Sequence, residues 1–231
     1  MSTVYENHTY LLNNPTWHEE DSAWKASKIR SMLDRNGIQA SSVCEIGCGA
    51  GEILVELSLS MPRHVDFSGY EISPDAFSIC SKKAGSNLKF YLRDLLAETQ
   101  AFFDVLLCID VLEHVEDFYA FLRKLRGKAT WKLFHIPLDL SVQNIIRVQP
   151  LDRERKRSGH IHFFTKETAV AALEHSGYEI LDTFFTLGSV ELPPKSWKAS
   201  LMKLPRKILF SLSHDLCARY LGGCSLMVLT R

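Results

Sequence analysis

The stretch Val43-Cys44-Glu45-Ile46-Gly47-Cys48-Gly49-Ala50-Gly51-Glu52 places glycine at every second position directly after a short apolar run. An apolar run that breaks into glycines and resumes with helical spacing is a strand-to-helix turn, where α/β sheets bind ligands. Gly47 permits a tight turn, Gly49 lets a ligand approach the backbone, and Gly51 lets the next helix pack close. A dinucleotide fingerprint needs glycine or alanine at its sixth position, where this chain carries Glu52. The Gly-Lys-Ser/Thr of a phosphate-binding loop is absent. Glu52, at the start of the helix, repels a pyrophosphate. The turn therefore predicts a nucleoside ligand without phosphates.

Outward from the turn, short apolar runs alternate with helical patterns. Strands are expected over residues 43–46, 65–72, 88–92, 103–109 and 131–136, and helices over 51–60, 74–84 and 117–125. The spacing of Trp24, Ile29, Met32 and Leu33 predicts an earlier helix over 21–33, ended by Asn36-Gly37. A later helix starts at Thr165 as N-cap and ends at Ser176-Gly177; strands over 178–187 and 225–230 follow. Such alternation implies right-handed βαβ units and a parallel sheet covered on both faces. The expected organisation is a helical cap over 1–40 and a sheet domain over 41–190 and 224–231. A basic helical insert fills 191–223.

The 231 residues balance 27 lysines and arginines against 27 acids, so the whole molecule has no electrostatic reason to seek nucleic acid. Hydrophobic content of 46% and charged content of 23% are ordinary for a soluble globular protein. The first ten residues carry no apolar signal region, and no apolar run approaches the roughly 20 residues that span a bilayer. Six cysteines form no Cys-x-x-Cys pair and mostly sit inside apolar runs. They read as small buried hydrophobes in a reducing compartment, and a cytoplasmic location is expected.

Glu45–Gly51 resembles the E/D-x-G-x-G-x-G motif of class I S-adenosylmethionine-dependent methyltransferases. The resemblance continues in order to about Gly188, with the last strand at the C-terminus. It implies a Rossmann-like, doubly wound α/β fold whose mostly parallel seven-stranded sheet has an antiparallel C-terminal strand. It also implies S-adenosylmethionine as cofactor. In Gly69-Tyr70-Glu71-Ile72-Ser73, Glu71 then accepts both ribose hydroxyls and Ile72 packs on the adenine. In the run 91–96, Asp94 reads the adenine amino group with Leu95 beside it. Glu45 lies near the ammonium of the methionine part, with Cys48 in the turn and Asp110 and Val111 closing the site after the fourth strand. The run 108–117, Cys-Ile-Asp-Val-Leu-Glu-His-Val-Glu-Asp, is similar to the branch that includes the ubiquinone-biosynthesis O-methyltransferases.

Methyl transfer from a sulfonium is an in-line displacement that requires alignment and removal of a proton from an attacking oxygen or nitrogen. Bases are expected at the carboxyl ends of the fourth and fifth strands, which makes His114 and His135 the candidates. His160 and His162 share one side if their stretch is extended. Asp110-x-x-Glu113-His114 offers two carboxylates and an imidazole to a hard cation. The metal-associated pattern of the ubiquinone branch has glutamate at the first position, and no metal is expected here. Trp17, His18, Trp24 and Lys25 either line the pocket or anchor the first helix to the core.

Arg147, Arg153, Arg155, Lys156 and Arg157, interrupted by Asp152 and Glu154, predict a solvated loop bordering the pocket. Between Pro193 and Gly223 the chain has six lysines and arginines against Asp215 alone. Leu204, Ile208, Leu212, Leu216 and Tyr220 recur every fourth residue there, which predicts a helix with an apolar stripe and Pro205 near its start. Such a helix packs on the domain, or meets an anionic membrane or a lipid-linked substrate. The expected activity is methyl transfer to an oxygen or nitrogen of a small molecule, or of a lipid- or sugar-type metabolite. A nucleic-acid methyltransferase would carry Asn-Pro-Pro-aromatic after the fourth strand, and this chain does not. A silent cofactor-binding module is the third reading.

Overall fold

The computed structural model describes residues 19–194 and 197–231. Trp17, His18 and Lys195 lie outside the described residues. Along the chain come α1 (Ser22–Arg35), β1 (Ser42–Ile46), α2 (Glu52–Ser60), β2 (Asp66–Glu71), α3 (Pro74–Cys80), β3 (Leu88–Leu92), β4 (Phe103–Ile109) and α4 (Phe118–Leu125). Then follow β5 (Ala129–Pro137), α5 (Val142–Arg147), α6 (Gln149–Arg157), α7 (Lys166–His175), β6 (Ile180–Thr186) and α8 (Gly188–Glu191). The chain closes with α9 (Trp197–Leu212), α10 (His214–Leu216), a π-helical turn (Cys217–Leu221) and β7 (Ser225–Thr230).

The seven strands form one sheet in the order β3-β2-β1-β4-β5-β7-β6. The first five run parallel, and β7 is antiparallel to both β5 and β6. Period-2 alternation sorts the strand side chains onto two faces. Val43, Val105, Leu107, Leu133 and Leu229 meet Ile29, Met32 and Leu33 of α1 and Leu54 and Leu57 of α2. Cys44, Leu106, Cys108, Phe134 and Val228 meet Phe121, Leu122 and Leu125 of α4 and Ala169 and Leu173 of α7. The centres of β1, β4, β5 and β7 are thus buried on both sides, which leaves the carboxyl edge of the parallel strands as the place to bind a ligand.

Two expectations need correction. The basic stretch 147–157 is not a loop: Arg147 ends α5 and α6 fills Gln149–Arg157, with Val148 between them at φ 57. The basic insert also differs. Its helix starts at Trp197 and stops at Leu212, so Pro205 lies inside rather than near the start. Ser213 is extended, and its hydroxyl accepts from Leu216 N–H to start α10. Moreover Leu204, Ile208 and Leu212 face solvent, while Leu209 and Phe210 of the opposite side pack on the core. Among the described residues no helix is long and apolar enough to cross a membrane.

Candidate functional site

The turn after β1 is built as its glycines require. Gly47, Gly49 and Gly51 have φ of 67°, 54° and 81°, all left-handed. A Cβ on Gly51 would lie 2.6 Å from the Phe90 ring and 2.8 Å from Cys80 Cβ, so the close helix packing admits only glycine. Gly47 N–H donates to Tyr70 O at 2.8 Å, which ties the turn to the end of β2. Glu71, the last residue of β2, holds the loop from the other side. Its Oε2 accepts from Gly49 N–H at 2.8 Å, and its Oε1 accepts from Ile72 and Ser73 N–H at 2.7 Å each. Burial pushes the Glu71 carboxyl up, and these three backbone donors pull it back. Each oxygen has more than one lone pair, so the carboxylate that shapes the loop can also accept from a ligand.

The cleft beside this turn measures about 370 Å³, within the range of small-molecule sites. Glu45 forms part of its wall and is 2% exposed, with Oε2 buried and without a hydrogen-bond partner. Burial raises its carboxyl well above the usual range, and the Lys25 ammonium opposes that shift. Lys25 reaches in from α1 and pairs with Asp110 Oδ2 at 2.8 Å and Asp21 Oδ1 at 3.1 Å. Burial disfavours its charge, but these two carboxylates outweigh burial and raise it. Asp110 sits just past β4 at φ 52, a conformation aspartate tolerates better than most residues. Its Oδ1 meets His135 Nδ1 at 2.6 Å, and its N–H donates to His135 O. Burial works against the Asp110 carboxylate, but Lys25 and His135 hold it ionised.

The other wall comes from the 3₁₀ turn Leu112–His114 and the segment after α6. Glu113 is 1% exposed with both carboxylate oxygens unpartnered, 3.9 Å from His114 Nε2 and 4.0 Å from His160 Nε2. Burial foremost, then the Asp110 charge, pushes Glu113 up to about 8. His160 Nδ1 bonds Asp139 Oδ2 at 2.9 Å. Burial lowers its affinity for a proton, yet Asp139 and Glu113 prevail and raise it to about 9. His114 Nδ1 lies 3.2 Å from Gly159 O. A carbonyl can only accept, so Nδ1 carries a hydrogen, and in the neutral ring Nε2 then has the lone pair. Glu113, His114 and His160 are the group among the described residues whose ligand atoms lie close enough to hold an ion.

Glu45, Gly47, Cys48, Gly49, Gly51, Glu71, Ile72, Asp110, Val111 and His114 all line this one cleft. Three expected residues do not. Asp94 accepts from Leu96 N–H and caps the turn after β3, and Leu95 is fully buried in the core. His135 is 3% exposed, with Nε2 on Thr186 Oγ1 at 2.9 Å, so it orients Asp110 rather than facing the cleft. His162 turns to the carbonyls of Val115 and Glu116. Trp24 donates to Glu191 Oε2 and anchors α1 to α8. Glu154 of the basic stretch lines the cleft; sequence reasoning missed Ser158, just past that stretch, and Asp139 behind His160.

A family model described as a methyltransferase domain matches residues 17–183. No curated protein matches the sequence. Among solved structures, the chain is similar to an N-methyltransferase, NodS, from Bradyrhizobium japonicum in complex with S-adenosyl-L-homocysteine. Identity is 17%, TM-score 0.61, and 100% of this chain and 98% of that one are covered. It is similar to magnesium protoporphyrin IX methyltransferase from Synechocystis with the same compound bound, at 18% identity and TM-score 0.59, covering 90% and 83%. A cyclopropane synthase from Mycobacterium tuberculosis matches at 14% identity and TM-score 0.61, covering 89% and 83%. At these identities the likeness speaks for the fold.

Proposed function

Because the chain belongs to the methyltransferase-domain family, we propose that it uses S-adenosylmethionine to methylate an oxygen or nitrogen of a small molecule. The observation that carries this reading is the Glu45 carboxyl: buried in the cleft wall, with an oxygen lacking any partner. An orphaned buried carboxyl calls for a cationic or hydrogen-bonding ligand group, and the ammonium of an amino-acid moiety is one. Glu71 and the exposed Ile72 side chain fit the ribose and adenine of the same ligand. The fit is therefore to a nucleoside that carries an amino-acid arm.

When bound, the cofactor supplies an electrophilic methyl on a sulfonium. The residues of this chain hold it and manage the substrate proton. The Glu71-anchored glycine turn fixes the nucleoside end, and Glu45 receives the ammonium end. Asp110, held between Lys25 and His135, keeps the loop after β4 in its left-handed turn. The lone pair of His114 Nε2 takes the proton of the attacking hydroxyl or amine. His114→Asn should keep affinity for S-adenosylhomocysteine by calorimetry and lose about 10²–10⁴ in turnover. Normal turnover in that variant would remove His114 from the chemistry.

The reaction is proposed to need no metal, since Asp110 of the Asp110-x-x-Glu113-His114 set is committed to Lys25 and His135. Labelled-methyl transfer from S-adenosylmethionine should survive chelation by EDTA. Loss on chelation, with recovery on adding Mn²⁺, would instead place an ion on Glu113, His114 and His160. The six buried free thiols support a reducing, cytoplasmic setting.

A further inference from the structure

Helix α9 turns its apolar stripe outward. Trp197, Leu201, Leu204, Ile208 and Leu212 recur at helical spacing over its 16 residues and are 73%, 69%, 65%, 52% and 77% exposed. A row about 24 Å long of bare large side chains is unusual on a soluble surface and marks a contact site. Its cations divide into two sets. Lys203 donates to the carbonyls of Val190 and Leu192, and Arg206 to that of Leu221, so these two fasten the helix to the domain. Lys198 and Lys207 are exposed beside the stripe, and among the described residues neither pairs with an acid. Trp197–Leu212 contains no acid at all. The turn Cys217–Leu221 packs against α5, which adds the exposed Ile145, Ile146 and Val148 together with Arg147.

We propose that α9 is an interfacial helix that docks this protein on an anionic lipid surface. Its apolar row would sit at the headgroup–acyl boundary, with Lys198 and Lys207 among the phosphates. Charge decides against a second copy of this chain. A two-fold pairing of α9 would set lysines against lysines with no acid to meet them. One helix face also offers a few hundred Å², short of the roughly 800 Å² per partner that a stable interface buries. Attraction to a negative leaflet is worth roughly fivefold in binding per cation near the surface and fades within a Debye length as salt rises.

The test is co-sedimentation of the full chain with phosphatidylcholine vesicles, with and without phosphatidylglycerol, at low and high salt. Binding is expected on the phosphatidylglycerol vesicles at low salt, and weaker binding on neutral vesicles and at high salt. Lys198→Glu with Lys207→Glu should reduce binding at least tenfold, as should Leu201→Gln with Ile208→Gln. Affinity for S-adenosylhomocysteine should be unchanged in both variants, which separates this outcome from a failure of the cofactor reading. Absence of binding to phosphatidylglycerol vesicles at low salt would overturn the proposal. So would equal binding to both vesicle types, or a dimer by light scattering that Leu201→Gln with Ile208→Gln dissolves.

Discussion

Lys25→Met is expected to lower the stability of the folded chain by about 3–5 kcal/mol, the usual cost of removing one member of a buried ion cluster. The Lys25 ammonium is the cation that both Asp110 and Asp21 face, and it also offsets the buried Glu45 carboxyl. Without it, among the described residues, the Asp110 carboxylate keeps the His135 ring as its side-chain partner. Methionine retains most of the side-chain volume, so the loss isolates charge rather than packing. At about 2–4 °C per kcal/mol for a chain of this size, the midpoint of thermal unfolding should fall by at least 6 °C. Asp110→Asn combined with Lys25→Met should recover part of that loss, because the uncompensated charge goes with its partner. A double variant no more stable than Lys25→Met alone would show that the cluster does not act as a unit.

The second large effect is on ligand binding. Glu71→Ala removes the acceptor of three backbone N–H groups, those of Gly49, Ile72 and Ser73, and with it the anchor of the glycine turn. Hydrogen bonds to a charged group contribute about 1.5–3 kcal/mol each. The loop must therefore be reordered in the complex in addition to losing the proposed ribose contact. Affinity for S-adenosylhomocysteine should fall by about 10²-fold or more by calorimetry, a size that follows from losing two such bonds. Glu71→Gln, which keeps one acceptor oxygen, should lie between the two. Unchanged affinity in the alanine variant would mean that Glu71 neither shapes the turn nor meets the ligand.

Much of this was legible in the sequence because the parallel sheet writes itself in simple periods. Val43 and Val105 go to the α1 face, and Cys44 and Leu106 to the α4 face, by alternation alone. Gly47, Gly49 and Gly51 marked the turn, and Glu45 and Glu71 sat at strand ends beside it. The failures have physical causes. His135 follows the same alternation, two residues after Leu133, and still belongs to β5 (Ala129–Pro137). Its ring is therefore held against the sheet face under α1, not at the open edge. Asp94 sits at the expected strand end, where its Oδ1 accepts from the Leu96 N–H of its own turn, outside the lining of the cleft. Helical spacing in α9 reported an amphipathic helix but not which side is covered. Leu209 and Phe210 pack inward while the longer apolar row remains outside. In α6 the aliphatic Leu151 stands alone among charged residues and gives no period, so a helix looked like a solvated loop.

The cleft at the Gly47–Gly51 turn is proposed to take a nucleoside carrying an amino-acid arm rather than a dinucleotide. The most direct measurement is a calorimetric titration of the full chain with S-adenosylhomocysteine, with NAD as the competing ligand. One site of micromolar affinity for S-adenosylhomocysteine, and no heat from NAD, is the expected result. Binding of NAD with none of S-adenosylhomocysteine would contradict the account.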